Sequence, residues 1–306
     1  MGDRIESAQS SGEAPKRHGM TVTVLVPSSL VREAPDKREA TRKLGDIARA
    51  ATVFRTDRLV VYPDRPGEQE ATWDGGFVET VLRYATTPPH LRKGKWGSRD
   101  ELEYVGVLPP LCATSQTGSG SDDSGSLRQG IVTEVGSEGR VRVNCGLQHP
   151  ISLRAPPERE VTEGERVTIR ITSRRPVRAQ LADEPLPGPS IERMDLIAAL
   201  DRDDAGLRVA TSRHGEPLTV SHLRSIVATI ETDGLTVAFG APKRGLSAIL
   251  EDHPDATGPF PPSVEPSSDR SDRFDLWLNA IPDQGSEVVR TEEAIWAVLA
   301  CLTLKE

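Results

Sequence analysis

The chain has 306 residues, a net charge of −8 and 36% hydrophobic residues, which is enough for one or two domains with a buried core. No apolar run approaches the eighteen residues of a membrane-spanning helix, and the N-terminus has no apolar signal segment, so we expect a cytoplasmic protein that does not bind membranes. The three cysteines are far apart and the six histidines lack metal-ligand spacing, which argues against a disulfide framework and against a metal site.

Arginine greatly outnumbers lysine, with 31 arginines against 7 lysines. On an acidic chain this bias is typical of proteins from salt-loving organisms, whose surface carboxylates hold water and ions. A GC-rich genome that favours arginine codons explains the same bias equally well. Neither explanation indicates a function, so the distribution of charge along the chain is more informative than the total.

The first part of the chain predicts a short tail and then an alternation of strands and helices. Residues 1–20 are polar and unpatterned, which predicts disorder. Residues 21–89 contain predicted strands at 21–26 and 59–62, a helix that begins at Asp36, and a second helix from about Gly76. Asp36 and Glu39 have the spacing of a capping box. This order is typical of a parallel sheet covered by helices.

The pattern changes between residues 90 and 187, where no helical period is found. Short β-rich runs lie at 104–108, 129–135, 140–144, 151–153, 166–171 and 177–181. Residues 136–139 predict a hairpin turn, and the Ser- and Gly-rich stretch 114–126 predicts a surface loop. Several short strands in this length predict a small β-barrel inserted into the α/β domain, and the OB-fold is the common nucleic-acid-binding barrel of this size.

Residues 188–306 return to the α/β pattern. We predict a short helix at 190–200, a strand at 207–211, a helix that stops at residues 233–234, strands at 236–239 and 274–279, and a last helix capped by Thr291. The chain is therefore predicted to be one α/β domain with an open parallel sheet, interrupted in sequence by an OB-like barrel.

Two of these predicted strands end in glycine-containing loops, at residues 240–245 and 279–285. Ligands of open parallel sheets bind at the carboxyl ends of the strands. Ile281 and Pro282 offer an apolar wall, and Asn279 and Gln284 offer donors and acceptors for a purine edge. We interpret the loops as a site for a flat, neutral heterocycle. The alternative is two ordinary strand-ending turns.

The predicted barrel has its own charge balance. Residues 127–182 contain ten arginines, no lysine and six glutamates, a balance of +4 in a chain of −8. A basic module on an acidic chain predicts contact with RNA, mainly through phosphates because the segment has few aromatic residues for stacking. The candidate RNA-binding residues are Arg140, Arg142, Arg154, Arg170, Arg174, Arg175 and Arg178. The alternative is a solvated surface whose arginines pair with nearby glutamates.

Residues 240–246 and 279–294, taken together, resemble the SPOUT class of S-adenosylmethionine-dependent RNA methyltransferases. The run from Ile281 to Gly285 and the Val-Arg-Thr-Glu-Glu sequence at 289–293 are the most specific part of the resemblance. The chain is most similar to the archaeal and eukaryotic branch of RNA uridine-N3 methyltransferases, which also has an inserted barrel. The resemblance covers nearly all of residues 21–306.

The resemblance implies a fold, a cofactor and an assembly. The C-terminal part of the α/β domain is expected to form a deep trefoil knot that binds S-adenosylmethionine, and two subunits are expected to complete each other's sites in a homodimer. The implied cofactor-binding residues are Arg213, Gly240, Asn279, Ala280, Ile281, Pro282, Gln284, Gly285 and Thr291. Arg213 is implied as a contact to either the cofactor or RNA.

Methylation of a uridine nitrogen also requires removal of a proton, which needs a base or a positive group that stabilises the developing anion. Arg244 and Arg290 lie in the matching loops and are the candidate catalytic residues. Each could equally bind a phosphate or form an ion pair across a dimer.

Three functions remain open at this point. The leading hypothesis is an RNA methyltransferase that acts on ribosomal RNA, with a uridine base favoured. The second is a catalytically inactive SPOUT-fold protein that binds RNA or assists ribosome assembly. The third is a methyltransferase for a small molecule, in which the barrel serves only oligomerisation.

Overall fold

The computed structural model describes residues 21–64, 75–113, 127–184, 186–251 and 273–305. The predicted tail at 1–20 and the predicted loop at 114–126 lie outside these ranges. Within them the chain forms one parallel sheet and one antiparallel sheet. None of the helices in these ranges is long and apolar enough to span a bilayer.

The strands are β1 (Val22–Pro27), β2 (Arg58–Tyr62), β3 (Leu127–Val135), β4 (Arg140–Asn144), β5 (Ile151–Arg154), β6 (Arg166–Arg174), β7 (Val177–Ala182), β8 (Ser190–Arg193), β9 (Leu207–Pro217), β10 (Leu235–Ala238) and β11 (Leu276–Asn279). The α-helices are α1 (Lys37–Val53), α2 (Gly75–Thr86), α3 (Pro89–Trp96), α4 (Leu196–Leu200), α5 (Val220–Asp233), α6 (Leu246–Glu251) and α7 (Thr291–Leu302). Short 3-10 helices lie at Asp100–Leu102, Val105–Val107 and Ser137–Gly139.

The larger sheet has six strands in the order β11-β9-β10-β1-β2-β8, and each neighbouring pair is parallel. Helices α1, α2, α5 and α7 cover one face, where Val24 and Val26 of β1 point. Helices α4 and α6 cover the other face, where Leu25 of β1 points. Because both faces are buried, the central strand is apolar without alternation. The predicted open parallel sheet is confirmed.

Helix α1 shows why the first elements follow from the sequence. The Asp36 carboxylate accepts a hydrogen bond of 2.7 Å from the backbone N–H of Glu39, which caps the helix. Leu44, Ile47 and Ala51 recur at helical spacing and are fully buried against the sheet. The capping residue therefore fixes where the helix begins, and its apolar stripe fixes which face packs.

The smaller sheet is antiparallel, with strands in the order β5-β4-β3-β6-β7. Its edge strands β5 and β7 also pack against each other, so the sheet nearly closes around a core that includes Val143 and Ile169. In β4 the valines point inward and Arg140 and Arg142 point to solvent, as expected for a strand with one wet face. The five β-rich runs predicted between 129 and 181 are thus confirmed as strands.

The segment predicted as one helix at 190–200 is instead strand β8 followed by helix α4. β8 pairs with β2 and forms an edge of the parallel sheet. The helix begins only after Asp195, whose carboxylate accepts from the backbone N–H of Ile197 at 2.8 Å. Four strand residues are too few to show a period, so pairing with β2, which the sequence does not reveal, decides their structure.

Two further differences from the predicted elements lie in the segment that connects α2 to β3. The predicted β-rich run at 104–108 is a 3-10 helix at Val105–Val107. Helix α3, in a segment where no helix was predicted, buries only Leu91 and Trp96, which is too few apolar residues to produce a recognisable stripe. Pro89 at its first position was the available signal, because proline favours the first turn of a helix.

Helix α7 begins at Thr291, one residue earlier than the predicted cap at Thr291 implies. Arg290 is the residue before the helix, and its backbone N–H donates to the Glu293 carboxylate at 2.9 Å. Residues 252–272, which connect α6 to β11, lie outside the described ranges, so the trefoil knot remains a prediction.

Candidate functional site

The two glycine-containing loops lie at the same edge of the parallel sheet, because β10 and β11 both end there. The two strands were expected to be neighbours, but β9 lies between them. The site is therefore built from three consecutive strand ends rather than two. The added segment is the carboxyl end of β9.

β9 contains a bulge near its carboxyl end, where it lies between β10 and β11. Ala210 is opposite Trp277 of β11, but the next paired residue, Glu216, is opposite Leu278, so residues 211–215 form the bulge. Gly215 lies so close to β11 that a Cβ there would be 2.7 Å from the Leu278 carbonyl carbon. Only glycine permits this approach.

The bulge is tied to both neighbouring strands. On one side, the Thr211 hydroxyl donates to the carbonyl of Ala238 at the end of β10, at 2.8 Å. On the other side, the Asn279 side-chain amide donates to the carbonyl of Arg213 at 2.9 Å. The bulge therefore holds the two loops in a fixed relation to each other.

Asn279 also shapes the loop that follows β11. Its side-chain oxygen accepts from the backbone N–H of Ile281 at 3.0 Å, and its carbonyl accepts from Leu218 at 2.9 Å. An Asx turn of this kind sets the direction of the chain into Ala280, Ile281 and Pro282. The side chain predicted to meet a ligand is thus engaged in positioning the loop.

The rest of the same loop is folded by short-range hydrogen bonds. The Gln284 amide donates to the carbonyls of Ser286 and Glu287, at 2.8 and 3.2 Å. Gly285 is exposed, and a Cβ there would meet nothing within 4 Å. Gly285 therefore faces open space, and Thr291 at the start of α7 closes the loop.

The loop after β10 is compact around Gly240. A Cβ there would lie 3.0 Å from the Arg244 carbonyl oxygen and 3.2 Å from the Leu246 nitrogen. The turn is closed by the Arg244 N–H, which donates to the Ala241 carbonyl at 2.9 Å. Lys243, which was not predicted as a site residue, is exposed in this turn with φ of 64°, a conformation that costs energy for a residue other than glycine.

Arg244 connects this loop to β2 and α6. Its guanidinium donates to the carbonyl of Asp64, which follows β2, and to the carbonyl of Ala248 in α6 at 3.0 Å. Two fixed carbonyls hold the side chain in a half-buried position. This geometry shows a clamp between three elements, and the predicted catalytic role remains a prediction.

A buried polar cluster, missed from the sequence, lies beside this clamp. The Asp64 carboxylate is 3% exposed and accepts from the Ser29 N–H at 2.9 Å and from the hydroxyls of Ser28 and Ser29 at 3.0 and 2.7 Å. The Tyr62 hydroxyl donates to the Phe239 carbonyl at 2.6 Å, and burial raises the pKa of this phenol well above its usual value. The sequence signal for this cluster was that its polar residues, Ser28, Ser29 and Asp64, come just after the apolar strands β1 and β2.

Arg290 and Arg244 lie on opposite faces of the parallel sheet. It is exposed at the start of α7, and its charge reaches Glu39 of α1. The pKa of the Glu39 carboxyl is lowered, first by its hydrogen bond with Arg42 and to a lesser degree by the charges of Arg42, Arg290 and Arg38. Arg244 contacts α6 on one face of the sheet, whereas Arg290 belongs to the α1–α7 face.

The start of α7 is anchored by a buried cation. The Lys43 ammonium, on α1, lies 3.4 Å from the Glu292 carboxylate and also pairs with Glu33. The side chains of Lys43 and Glu292 are 5% and 11% exposed. A buried pair of this kind becomes destabilising when one partner is removed, so it fixes α7 relative to α1.

Arg213 and His214 lie at the exposed tip of the β9 bulge. The Arg213 Nε–H donates to His214 Nε2 at 3.1 Å, and the Ser212 hydroxyl accepts from the His214 N–H at 3.2 Å. This hydrogen bond orients the exposed imidazole at the tip of the bulge. His214 was not predicted as a site residue; its position makes it a candidate proton acceptor.

The predicted RNA-binding arginines fall into three groups. Arg142 and Arg170 pair with Glu134 and Glu184, as the alternative of a solvated, paired surface predicts. Arg140 and Arg154 are exposed and directly opposite each other on β4 and β5. Arg175 and Arg178 are exposed near the β6–β7 turn, where the side chain of Arg174 lies outside the described part of the structure.

The opposition of Arg140 and Arg154 places two guanidinium-bearing side chains on the same exposed stretch of the sheet. A phosphate there could accept hydrogen bonds from both. In the described ranges, no group of three His, Cys, Asp or Glu side chains is arranged to hold a metal ion.

Comparisons with known proteins identify the family of the chain. The model of a family described as "Putative RNA methyltransferase" matches residues 21–302. Uncharacterized proteins of Halobacterium salinarum and Haloarcula marismortui are 67% and 64% identical to the chain, each over 94% of the chain and 100% of the relative. The 28S rRNA (uridine-N(3))-methyltransferase of Homo sapiens is 27% identical over 98% of the chain and 82% of that protein.

Proposed function

The chain belongs to this family of RNA methyltransferases, and from that membership we propose that it transfers the methyl group of S-adenosylmethionine to a uridine base of ribosomal RNA. The observation that carries the proposal is the joining of the β10 and β11 loops by the bulge of β9. The uridine and the ribosomal RNA are supported by the name of the human relative, which aligns with nearly the whole chain.

The residues at the three strand ends fit S-adenosylmethionine. Gly285 faces open space, Ile281 and Pro282 offer apolar surface, and Asn279 fixes the turn between them. The cofactor would be held by Asn279, Ala280, Ile281, Pro282, Gln284, Gly285 and Thr291, with Gly240 and Arg213 across the bulge. Bound there, it supplies an electrophilic methyl group on a sulfonium.

The chain's own residues would position the uridine and accept its proton. As the bond from methyl carbon to N3 forms and the bond to sulfur breaks, the N3 proton must leave. His214 is our candidate acceptor, because it is exposed on the bulge between the two loops; its Nε2 would give up the hydrogen bond from Arg213 to take the proton. Arg290 is exposed and so is free to approach the uracil oxygens, whereas Arg244 would hold the loop in place.

The antiparallel sheet would hold the RNA by its phosphates. Arg140 and Arg154 carry this part of the proposal, since both are exposed and lie opposite each other on neighbouring strands, where one phosphate could contact both. Arg175 and Arg178 extend the basic surface at the far turn, and Arg174 is proposed from sequence alone. Residues 90–187, which contain this sheet, are the proposed inserted OB-like module.

We also propose the trefoil knot, a homodimer and a cytoplasmic location, which follow from the resemblance to the SPOUT class. The excess of arginine on an acidic chain is, in this proposal, an adaptation to salt, because the two relatives of highest identity named above come from halophilic archaea. Light scattering at molar KCl tests the dimer, and a monomer at micromolar concentration would contradict it.

Calorimetry with S-adenosylhomocysteine tests the cofactor, and mass spectrometry of ribosomal RNA nucleosides with and without the gene tests the reaction. We expect binding, and the loss of one methylated uridine in the deletion strain. Binding of RNA without binding of S-adenosylhomocysteine, by a folded protein, would support an inactive RNA-binding or assembly protein instead. A methylated small molecule with unchanged RNA would support the third function.

A further inference from the structure

Helix α3 contacts both sheets and carries an unusual set of charges. Trp96 is buried in the core of the parallel sheet, while the His90 ring lies 3.4 Å from the carbonyl of Gln129 in β3. Residues 89–99 contain four cations and no carboxylate, in a chain whose net charge is −8. Two of the seven lysines of the whole chain, Lys93 and Lys95, lie here.

Aromatic rings hold these cations in place. The Lys95 ammonium lies 5.8 Å from the centroid of the Trp96 ring, and the Arg99 guanidinium lies 5.4 Å from the same ring. Arg92 lies 4.8 Å from the Tyr84 ring and donates to the carbonyls of Ala85 and Thr87, so it serves the end of α2. Lys93, Lys95 and Arg99 are exposed.

Further positive charge comes from the antiparallel sheet. Arg166 of β6 donates to the Gln129 side chain at 2.7 Å, and its Nε–H is buried without a hydrogen-bond partner. Partial burial lowers the pKa of the Lys95 ammonium, and repulsion from Arg166 and Arg83 lowers it further. We name Lys93, Lys95, Arg99 and Arg166 the α3 patch; within it the charge of Arg166 acts on Lys95, and Lys95 and Arg99 both contact the Trp96 ring.

Glu103, one of the acidic residues that follow α3, pairs with a cation outside the patch. Glu103 lies 3.6 Å from Lys37 of α1, and Lys37 also donates to the backbone carbonyl of Asp100. These contacts direct that segment toward α1. Repulsion within the patch is thus a cost in the free protein, and a polyanion that binds across several of the cations would remove it.

We propose that the α3 patch binds the phosphate backbone of the RNA substrate at the junction between the two sheets. The inference rests on the proposed function, because it takes the RNA methyltransferase reaction as given and adds a second contact surface to the one on β4 and β5. Contact of α3 with β3 makes the patch continuous with the antiparallel sheet, whose own balance is positive. Lysine and ring-stacked arginine suit a phosphate chain that is recognised by charge rather than by sequence.

The test is a double charge reversal, K93E/K95E, in the full chain, with K93A/K95A as a milder variant in case the reversal disturbs folding. The matched control is R55E/K305E, which makes the same change of charge at exposed positions that follow α1 and α7. The probe is a 40-nucleotide single-stranded RNA of mixed sequence, titrated across a KCl series, with poly-L-glutamate as a second probe. Circular dichroism at each salt concentration checks the fold.

We expect K93E/K95E to weaken RNA binding at least tenfold relative to the control, and K93A/K95A to lower the slope of log affinity against log salt by about 1.4, from two contacts at about 0.7 each. Affinity for S-adenosylhomocysteine should stay unchanged. Equal RNA affinity of the K93E/K95E and control variants at every salt concentration overturns the patch while leaving the proposed function intact. Loss of poly-L-glutamate binding with RNA binding preserved overturns it in favour of an acidic protein partner. A wild-type protein that binds S-adenosylhomocysteine but no RNA overturns the RNA substrate and the patch together.

Discussion

The side-chain amide of Asn279 donates a hydrogen bond of 2.9 Å to the carbonyl of Arg213, and this contact joins the loop after β11 to the bulge of β9. The oxygen of the same side chain caps the turn at Ile281. One residue therefore sets both the shape of the loop and its distance from the neighbouring strand.

Replacing Asn279 separates these two effects. N279D keeps the oxygen that accepts from Ile281 but loses the donor to Arg213, whereas N279A loses both. We expect a loss of unfolding free energy of about 1 kcal/mol for N279D and about 2 kcal/mol for N279A, at about 1 kcal/mol per hydrogen bond. Urea unfolding and calorimetry with S-adenosylhomocysteine measure the result. Full affinity in N279A would show that the site does not depend on this loop.

Gly285 offers a way to block the site without disturbing the fold. Because a Cβ there meets nothing within 4 Å, G285W should leave the unfolding midpoint within a degree or two of wild type. The indole would fill the space proposed for the cofactor, so we expect no measurable binding of S-adenosylhomocysteine. G106W places the same side chain at another open glycine, in the 3-10 helix before residue 108, and should bind normally. Normal binding by G285W would place the cofactor elsewhere.

The opposed arginines of the antiparallel sheet predict an effect on binding without a large effect on stability. Both side chains are exposed, so R140A/R154A should change the free energy of unfolding by less than about 1 kcal/mol. The same change should weaken RNA binding and flatten its salt dependence. R142A is the control, since Arg142 already pairs with Glu134. RNA affinity of R140A/R154A equal to that of R142A would contradict the proposed phosphate contact.

Lys43 should be critical for the position of α7. K43M removes the cation from a buried carboxylate, and such a change costs about 3 kcal/mol or more. In K43M/E292Q the uncompensated charge is also gone, so we expect part of the stability to return. Urea unfolding of the two single variants and the double variant gives the coupling energy. Additive losses would mean that Lys43 and Glu292 do not interact.

The ion pair at the start of β11 predicts a pH dependence. Arg208 donates to both carboxylate oxygens of Asp275, at 2.7 and 3.0 Å, and these hydrogen bonds lower the pKa of the carboxyl. A carboxyl whose pKa is lower in the folded state stabilises the protein above its unfolded pKa, about 3.9 for aspartate, and loses that effect as pH falls through the folded value.

Wild type should therefore exceed D275N in stability at pH 7, by at most about 1 kcal/mol for a partly exposed pair, and the difference should shrink below about pH 4. D201N is the matched control, because Asp201 also pairs with an arginine, Arg273, but is more exposed. Thermal unfolding between pH 3 and pH 7 measures both. A difference that does not change with pH would mean that the pair has no effect through ionisation.

The sequence predicted the elements whose signals are local. Asp36 is the capping residue of α1, and the valines of β4 alternate with arginines. In both cases a few consecutive residues are enough to predict the element. β8 and α3 were missed because their structure depends on partners distant in the chain: β8 on β2, and α3 on a core that receives only Leu91 and Trp96. In the site, both glycine loops were identified from the sequence, because their signals are also local.

What local sequence could not reveal is the element between those loops. The bulge of β9 follows from a shift in register against β11, and no residue within β9 encodes that shift by itself. Asp64 was missed for a similar reason, since its hydrogen-bond donors at residues 28 and 29 are more than thirty positions away. Long-range contacts of this kind decide which polar residues are structural and which are available to a ligand.

The strand order sets a minimum length for an effective substrate. β8, where the chain returns from the antiparallel sheet, and β11, which leads into the proposed cofactor loop, are the two edges of the parallel sheet. Five strand spacings separate them, about 24 Å at about 4.8 Å each. A stacked strand rises about 3.4 Å per nucleotide, so about seven nucleotides cover that span. An oligonucleotide shorter than this should reach the methyl donor without also contacting the antiparallel sheet. Its rate of methylation should therefore be the same in wild type and in R140A/R154A.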